Sequence, residues 1–80
     1  MSYLILQAKY KHGRTKWHEV WQGHDPVNAE HFGGEFARLN ESPVVIVCLR
    51  DTGDGVCEAT VIRRFDRQGV WREPGEAVQE

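Results

Sequence analysis

The sequence lacks most of the features that identify a class of protein by themselves. Its longest apolar run, Val44–Leu49, has the length of a β-strand, whereas a membrane-spanning helix needs roughly 18 residues or more. No basic segment followed by an apolar one opens the chain, so we expect no secretory signal and no membrane association. Two cysteines among 80 residues are too few for a disulfide-stabilised scaffold, which predicts a cytoplasmic protein.

A strong net charge is absent as well. The formal net charge of -2 argues against a protein that binds polyanions over its whole surface. With 40% hydrophobic and 28% charged residues, the composition is typical of a folded domain, and 80 residues suffice for one small core. We therefore predict a single domain over residues 1–72 and a flexible tail over residues 73–80.

The first 23 residues are predicted to form a β-hairpin. Tyr3–Lys11 and Thr15–Gln22 are rich in strand-forming residues, with a turn around Gly13. Pairing His12 with Thr15 separates the side chains into two faces. The face expected to be buried holds Leu4, Leu6, Ala8, Tyr10, Trp17 and Trp21. The other face holds Lys9, Lys11, Lys16, His18 and Gln22, with Ile5 and Val20 among them.

A helix is predicted to follow. Asp25 suits the N-cap and Pro26 the first turn, and Pro43 prevents continuation. At helical spacing one apolar stripe comprises Ala29, Phe32, Phe36 and Leu39. The residues expected to point away from it are Glu30, His31, Ala37 and Arg38. Gly33 and Gly34 leave two alternatives, a close approach of the helix to a sheet or a break in the helix.

A second hairpin is predicted from Pro43–Arg50 and Val56–Phe65, joined by the turn Asp51–Gly55. This turn pairs Leu49 with Cys57, and it places Cys48 and Cys57 on opposite faces as free thiols. A short last strand is predicted at residues 70–72.

The element order is therefore β-β-α-β-β, with room for a fifth strand. A single helix buries its stripe most simply against one antiparallel sheet, so we predict a two-layer α+β domain. The sheet is expected to have four to five strands, with the helix packed on one face. The residues expected to be largely buried between the two layers are Trp17, Trp21, Phe32 and Phe36.

The sequence offers no convincing arrangement for catalysis, so we predict a protein that is not an enzyme and has no catalytic residues. The four histidines lack the paired spacing of a zinc site, and we expect neither a metal nor a cofactor. Asp51 and Asp54 are better explained as turn-forming residues than as an acid–base pair.

Charge is segregated along the chain. Residues 1–23 carry four cations against Glu19, whereas residues 24–42 carry four acids against Arg38. Patches of opposite sign steer and orient charged partners. The candidate partner-binding residues are Lys9, Lys11, Lys16, His18, Glu30 and Glu35.

In its outline of a hairpin over Tyr3–Gln22, one central helix and a hairpin over Val44–Phe65, the chain resembles the small phage-encoded anti-CRISPR proteins directed at type I systems. That resemblance implies a non-enzymatic inhibitor in the host cell cytoplasm. It would bind a protein or ribonucleoprotein partner, a type I CRISPR surveillance complex, and block target DNA binding or nuclease recruitment. The alternative is a small nucleic-acid-binding domain that uses the basic N-terminal hairpin. The oligomeric state stays open.

Overall fold

The computed structural model of the chain describes residues 1–72, except for the side chain of Arg72. The elements in chain order are β1 (Ser2–Lys11), β2 (Arg14–Gly23), α1 (Pro26–Asn40), β3 (Val44–Asp51), β4 (Cys57–Phe65) and β5 (Trp71–Arg72). All five strands form one antiparallel sheet in the order β2-β1-β3-β4-β5, with one helix against it. The predicted two-layer α+β fold is confirmed, and the predicted tail at 73–80 lies outside the described residues.

The turn of the first hairpin lies one residue earlier in the chain than the predicted pairing implies. Lys11 pairs with Arg14, which leaves only His12 and Gly13 in the turn, with φ angles of 54° and 77°. Positive φ at both central residues marks a type I′ turn, whose twist matches that of the strands it joins. The predicted pairing of His12 with Thr15 is therefore wrong by two residues. An even shift leaves each side chain on its predicted face.

A β-bulge then reverses the faces near the end of β2. Leu6 pairs with Glu19, but Ile5 pairs with Trp21, so Val20 is the extra residue. Beyond the bulge, Trp21 joins Ile5 rather than Leu6. The prediction that Trp21 shares a face with Leu4 and Leu6 is wrong for this reason.

The helix covers the face opposite to the predicted one. The core under α1 contains Ile5, Val44 and Ile46, all fully buried, with Trp21 packed at its side. The Leu4 and Leu6 side of β1 faces away from the helix, and Trp17, expected in the core, is 45% exposed there. Both faces of the central strands are apolar, so alternation alone does not decide which one the helix covers.

The helix also presents a different side from the one predicted. Its N-terminus is as expected, with the Asp25 side chain accepting from the Val27 backbone N–H at 2.9 Å. The buried residues, however, are Ala29, Gly33 and Ala37, while Leu39 is 71% exposed. Ala37 was expected to point away from the core and instead lies in it, whereas Phe36 is half-buried and Phe32 is 38% exposed.

The small residues of the helix accommodate large side chains from the sheet. A Cβ atom on Gly33 would lie 3.0 Å from Phe65 Cε2 and 3.2 Å from Ile46 Cδ1. The helix is continuous through Gly33 and Gly34, so the close-approach alternative is the correct one. Large side chains of the sheet therefore fill the space between the layers, where the sequence pattern predicted large side chains of the helix.

The second hairpin has a loop over residues 52–56, and Asp51, not Leu49, pairs with Cys57. The shift is again two residues, so the predicted faces hold and Cys48 and Cys57 lie on opposite sides of the sheet. Both are free thiols. A bulge next to Ile46 brings Phe65 opposite Val44 and into the core. The last strand is one residue shorter than predicted. Within residues 1–72, no helix is long and apolar enough to cross a membrane.

Candidate partner-binding surface

The outer half of the first hairpin projects from the body of the domain. β3 pairs with β1 only as far as Gln7, and beyond Ala8 the strands β1 and β2 pair only with each other. Every residue from Lys9 to Glu19 is exposed. A two-stranded arm that leaves the core in this way contributes little to folding, which makes its side chains available to a partner.

One side of this arm is cationic. Lys9 pairs with Lys16, Lys11 pairs with Arg14, and Gln7 pairs with His18, so these side chains share the side that faces the helix layer. We call this surface the lysine face; its residues are Lys9, Lys11, Arg14, Lys16 and His18. Like charges placed directly across a strand pair are destabilising, so the arrangement opposes folding of the arm.

No acidic residue neutralises the lysine face within the described part of the chain. Glu19, the single acid of the hairpin, pairs with Leu6 and therefore lies on the other side. The ion pairs found among residues 1–72 are Arg38–Glu35 and Arg63–Glu30, both away from the hairpin. The lysine face borders an open cleft of about 810 Å³ that also includes Asn40 at the helix C-terminus. The partial negative charge at a helix C-terminus favours cations nearby.

The two acidic candidates do not belong to this surface. Glu30 accepts from Arg63 Nε at 2.7 Å, and Glu35 accepts from Arg38 Nη2 at 2.8 Å through both carboxylate oxygens. The structure thus brings together Lys9, Lys11, Lys16 and His18, and it places Glu30 and Glu35 separately on the helix. Each glutamate already has an arginine partner, so neither offers an uncompensated charge.

Sequence reasoning missed a second surface, on the side of the sheet away from the helix. We call it the open face; its residues are Leu4, Leu6, Ala8, Tyr10, Trp17, Val45, Val47 and Leu49. Ala8, Val45 and Val47 are buried by their neighbours in the sheet, although no element within residues 1–72 packs over them. Tyr10 and Trp17 are 78% and 45% exposed. Exposed aromatic side chains beside an apolar sheet face that no helix covers are typical of an interaction site.

Two arginines border the open face. Arg64 pairs with Val45, and its Nε atom is buried without a hydrogen-bond partner among the described residues. Arg67 follows in the turn before β5. Both line a cleft of about 490 Å³ together with Tyr10 and Trp17. The run of arginines near residue 64 was visible in the sequence, but its proximity to the two aromatic rings depends on strand pairing that the sequence pattern did not indicate.

No group of three or more His, Cys, Asp or Glu side chains within residues 1–72 comes together as a metal site. Comparison with protein-family models, with curated proteins and with solved structures gives no match. The lysine face and the open face are therefore the two candidate binding surfaces of the described residues.

Proposed function

We propose that this protein acts by non-enzymatic, stoichiometric binding to an anionic protein or ribonucleoprotein partner through the lysine face. The observation that carries the proposal is the uncompensated cluster of cations on an arm that projects from the core. Folding alone does not require Lys9 and Lys16 to face each other, and their mutual repulsion opposes it. An anionic partner would relieve that repulsion.

Two further observations favour the lysine face over the acidic helix surface. The carboxylates of Glu30 and Glu35 are held by Arg63 and Arg38, so a cationic partner would have to displace an arginine from each. The ammonium groups of Lys9, Lys11 and Lys16 have no such competitor among the described residues. Exposed charges of this type mainly set the encounter rate and the orientation of binding.

The resemblance to anti-CRISPR proteins makes a type I CRISPR surveillance complex the first partner to test. Such a ribonucleoprotein contains RNA, whose phosphates are anionic, and the resemblance implies that binding blocks target DNA binding or nuclease recruitment. The experiment is titration of a purified type I complex with the protein while binding of labelled target DNA is measured. Stoichiometric loss of DNA binding is the expected result.

Charge-reversal variants test which face carries the binding. Reversing Lys9, Lys11 and Lys16 together to glutamate should abolish inhibition, whereas changing Glu30 and Glu35 to glutamine should leave it intact. The opposite result would assign binding to the helix. If none of several type I complexes is bound or inhibited, the anti-CRISPR proposal is wrong. Binding of the free protein to nonspecific DNA, with its salt dependence, provides the parallel measurement for the nucleic-acid alternative.

A further inference from the structure

We propose that the cleft on the open face binds an unpaired nucleotide of single-stranded nucleic acid, with the base stacked on Trp17 and the phosphate held by Arg64 and Arg67. This inference deepens the proposed function, on which it rests for an anionic partner, by naming nucleic acid as the partner's chemistry. It uses different side chains on the opposite side of the sheet. The two proposals can therefore fail separately.

The aromatic part of the site is held on paired strands. Trp17 pairs with Ala8 and Tyr10 pairs with Thr15, so the two rings are diagonal neighbours on one face of the hairpin. Side chains in this relation lie within reach of one another. Ala8 is too small to cover the indole, which leaves Trp17 45% exposed. An exposed aromatic ring is the element on which proteins stack unpaired bases.

The cationic part of the site lies at the other side of the same cleft. The Arg64 guanidinium approaches from β4, and its buried Nε–H has no acceptor within residues 1–72. A buried donor without an acceptor is destabilising. Arg64 lines the cleft, and the planar guanidinium of arginine matches phosphate geometry well. Neither Arg64 nor Arg67 forms an ion pair with Glu41, the carboxylate that also lines the cleft.

The combination of groups favours a nucleotide over an acidic peptide. Two guanidinium groups alone would suit any anion, whether carboxylate or phosphate. The adjacent exposed aromatic rings add a planar apolar surface, which an aspartate or glutamate side chain does not use and a nucleobase does. The volume of about 490 Å³ falls in the range of sites that hold small organic ligands.

Fluorescence anisotropy tests the inference by measuring the binding of a fluorescein-labelled oligothymidylate. A length of about 12 nucleotides lies within the range of single-strand binding sites. Trp17→Ala should weaken binding about 5- to 150-fold, because loss of one stacked base costs about 1–3 kcal/mol. Trp17→Phe keeps an aromatic ring and should retain most of the affinity. Trp71→Phe, at the far edge of the sheet, is the matched control and should bind like the wild type.

Arg64→Gln should also weaken binding, and it should reduce the slope of log affinity against log salt by about 0.7, the value for one lost contact to a single-stranded phosphate. Urea unfolding of each variant verifies that the fold is retained. The inference is overturned if Trp17→Ala binds like the wild type, if polyglutamate competes as well as the unlabelled oligonucleotide, or if no binding occurs at about 50 mM salt.

The variants separate this inference from the proposed function. Both proposals are supported if Trp17→Ala loses oligonucleotide binding and if only the triple lysine reversal abolishes inhibition of the surveillance complex. Oligonucleotide binding that depends on Trp17, with no response from any surveillance complex, supports the inference and contradicts the anti-CRISPR proposal. Inhibition that is insensitive to Trp17, in a protein that binds no free oligonucleotide, overturns the inference and leaves the lysine face as the binding surface.

Discussion

The Gln7 side chain, in strand β1, donates from Nε2 to the main-chain carbonyl oxygen of Phe36, in the last turns of the helix, over 2.8 Å. Gln7 is only 2% exposed, and its Oε1 accepts from Asn40 Nδ2 at 2.9 Å. One buried amide therefore attaches the helix C-terminus to the sheet at the point where the projecting arm begins. Together with the bond from the Ala8 backbone N–H to the Pro43 carbonyl oxygen, this contact fixes the start of the lysine face relative to the helix.

Replacement of Gln7 by leucine should lower the free energy of unfolding by about 1–3 kcal/mol. The substitution keeps nearly the same volume but removes both hydrogen bonds of the buried Gln7 amide, to the Phe36 carbonyl oxygen and from Asn40 Nδ2. Urea unfolding followed by tryptophan fluorescence measures the change. Gln22→Leu, at an exposed position of β2, is the control and should change stability by less than about 0.5 kcal/mol. Equal stability of the two variants would contradict a structural role for the Gln7 contact.

The adjacent glycines of the helix should respond in opposite directions to alanine. Gly33→Ala places a Cβ atom 3.0 Å from Phe65 Cε2 in the core, so it should destabilise the protein by about 1–3 kcal/mol. At Gly34 the nearest atom, Phe65 Cε1, would lie 3.6 Å away, an ordinary contact. Gly34→Ala should therefore stabilise the helix by about 0.5–1 kcal/mol. Thermal unfolding of both variants provides the measurement, and stabilisation by both would show that the helix lies farther from the sheet.

The fold class could be predicted because turns, caps and alternation are local signals. Gly13, Asp25-Pro26 and the turn before Cys57 each mark an element boundary, and the segments between them are long enough for one element each. Outside the bulges, the grouping of side chains into faces also held, even where the pairing was shifted by two residues. Lys9, Lys11, Lys16 and His18 share one side in the structure as they do in the sequence pattern.

The covered face of the sheet could not be predicted, for three physical reasons. Val44–Val47 is apolar on both sides, so burial is favourable either way. The bulge at Val20 moves Trp21 to the other side of the sheet, and no residue in the sequence predicts this bulge. The helix packs through small residues, whereas a search for bulky apolar side chains selects Phe32 and Leu39. The cleft with Trp17 and Arg64 depends on which face the helix leaves open and on the second bulge, next to Ile46, which lies before the pairing of Arg64 with Val45. For that reason the sequence pattern did not reveal it.

The hairpin turn contains a position that asparagine should fill better than the present residue. His12 has φ of 54° and is followed by Gly13, the arrangement for which Asn-Gly is the preferred pair. His12→Asn should raise the free energy of unfolding by about 0.5 kcal/mol, since asparagine tolerates the left-handed conformation. Gly13→Ala, at φ of 77°, should lower it by about 1–2 kcal/mol. Urea unfolding of the two variants tests the turn type, and a stabilising Gly13→Ala would contradict it.

The two thiols should differ in reactivity because they occupy different environments. Cys57 is exposed at the start of β4, whereas Cys48 is half-buried on the helix side of the sheet, with its Sγ 3.7 Å from Met1 Sδ. A thiol reagent such as a chromogenic aryl disulfide should react with the native protein in two phases, the faster one belonging to Cys57. Cys57→Ser should remove the fast phase, and Cys48→Ser the slow one.

After unfolding without reductant both thiols should react at similar rates, because burial no longer protects Cys48. Failure of either thiol to react in the unfolded, unreduced protein would indicate a disulfide. Since the two residues lie on opposite faces of the sheet, a Cys48–Cys57 disulfide would contradict the pairing of β3 with β4.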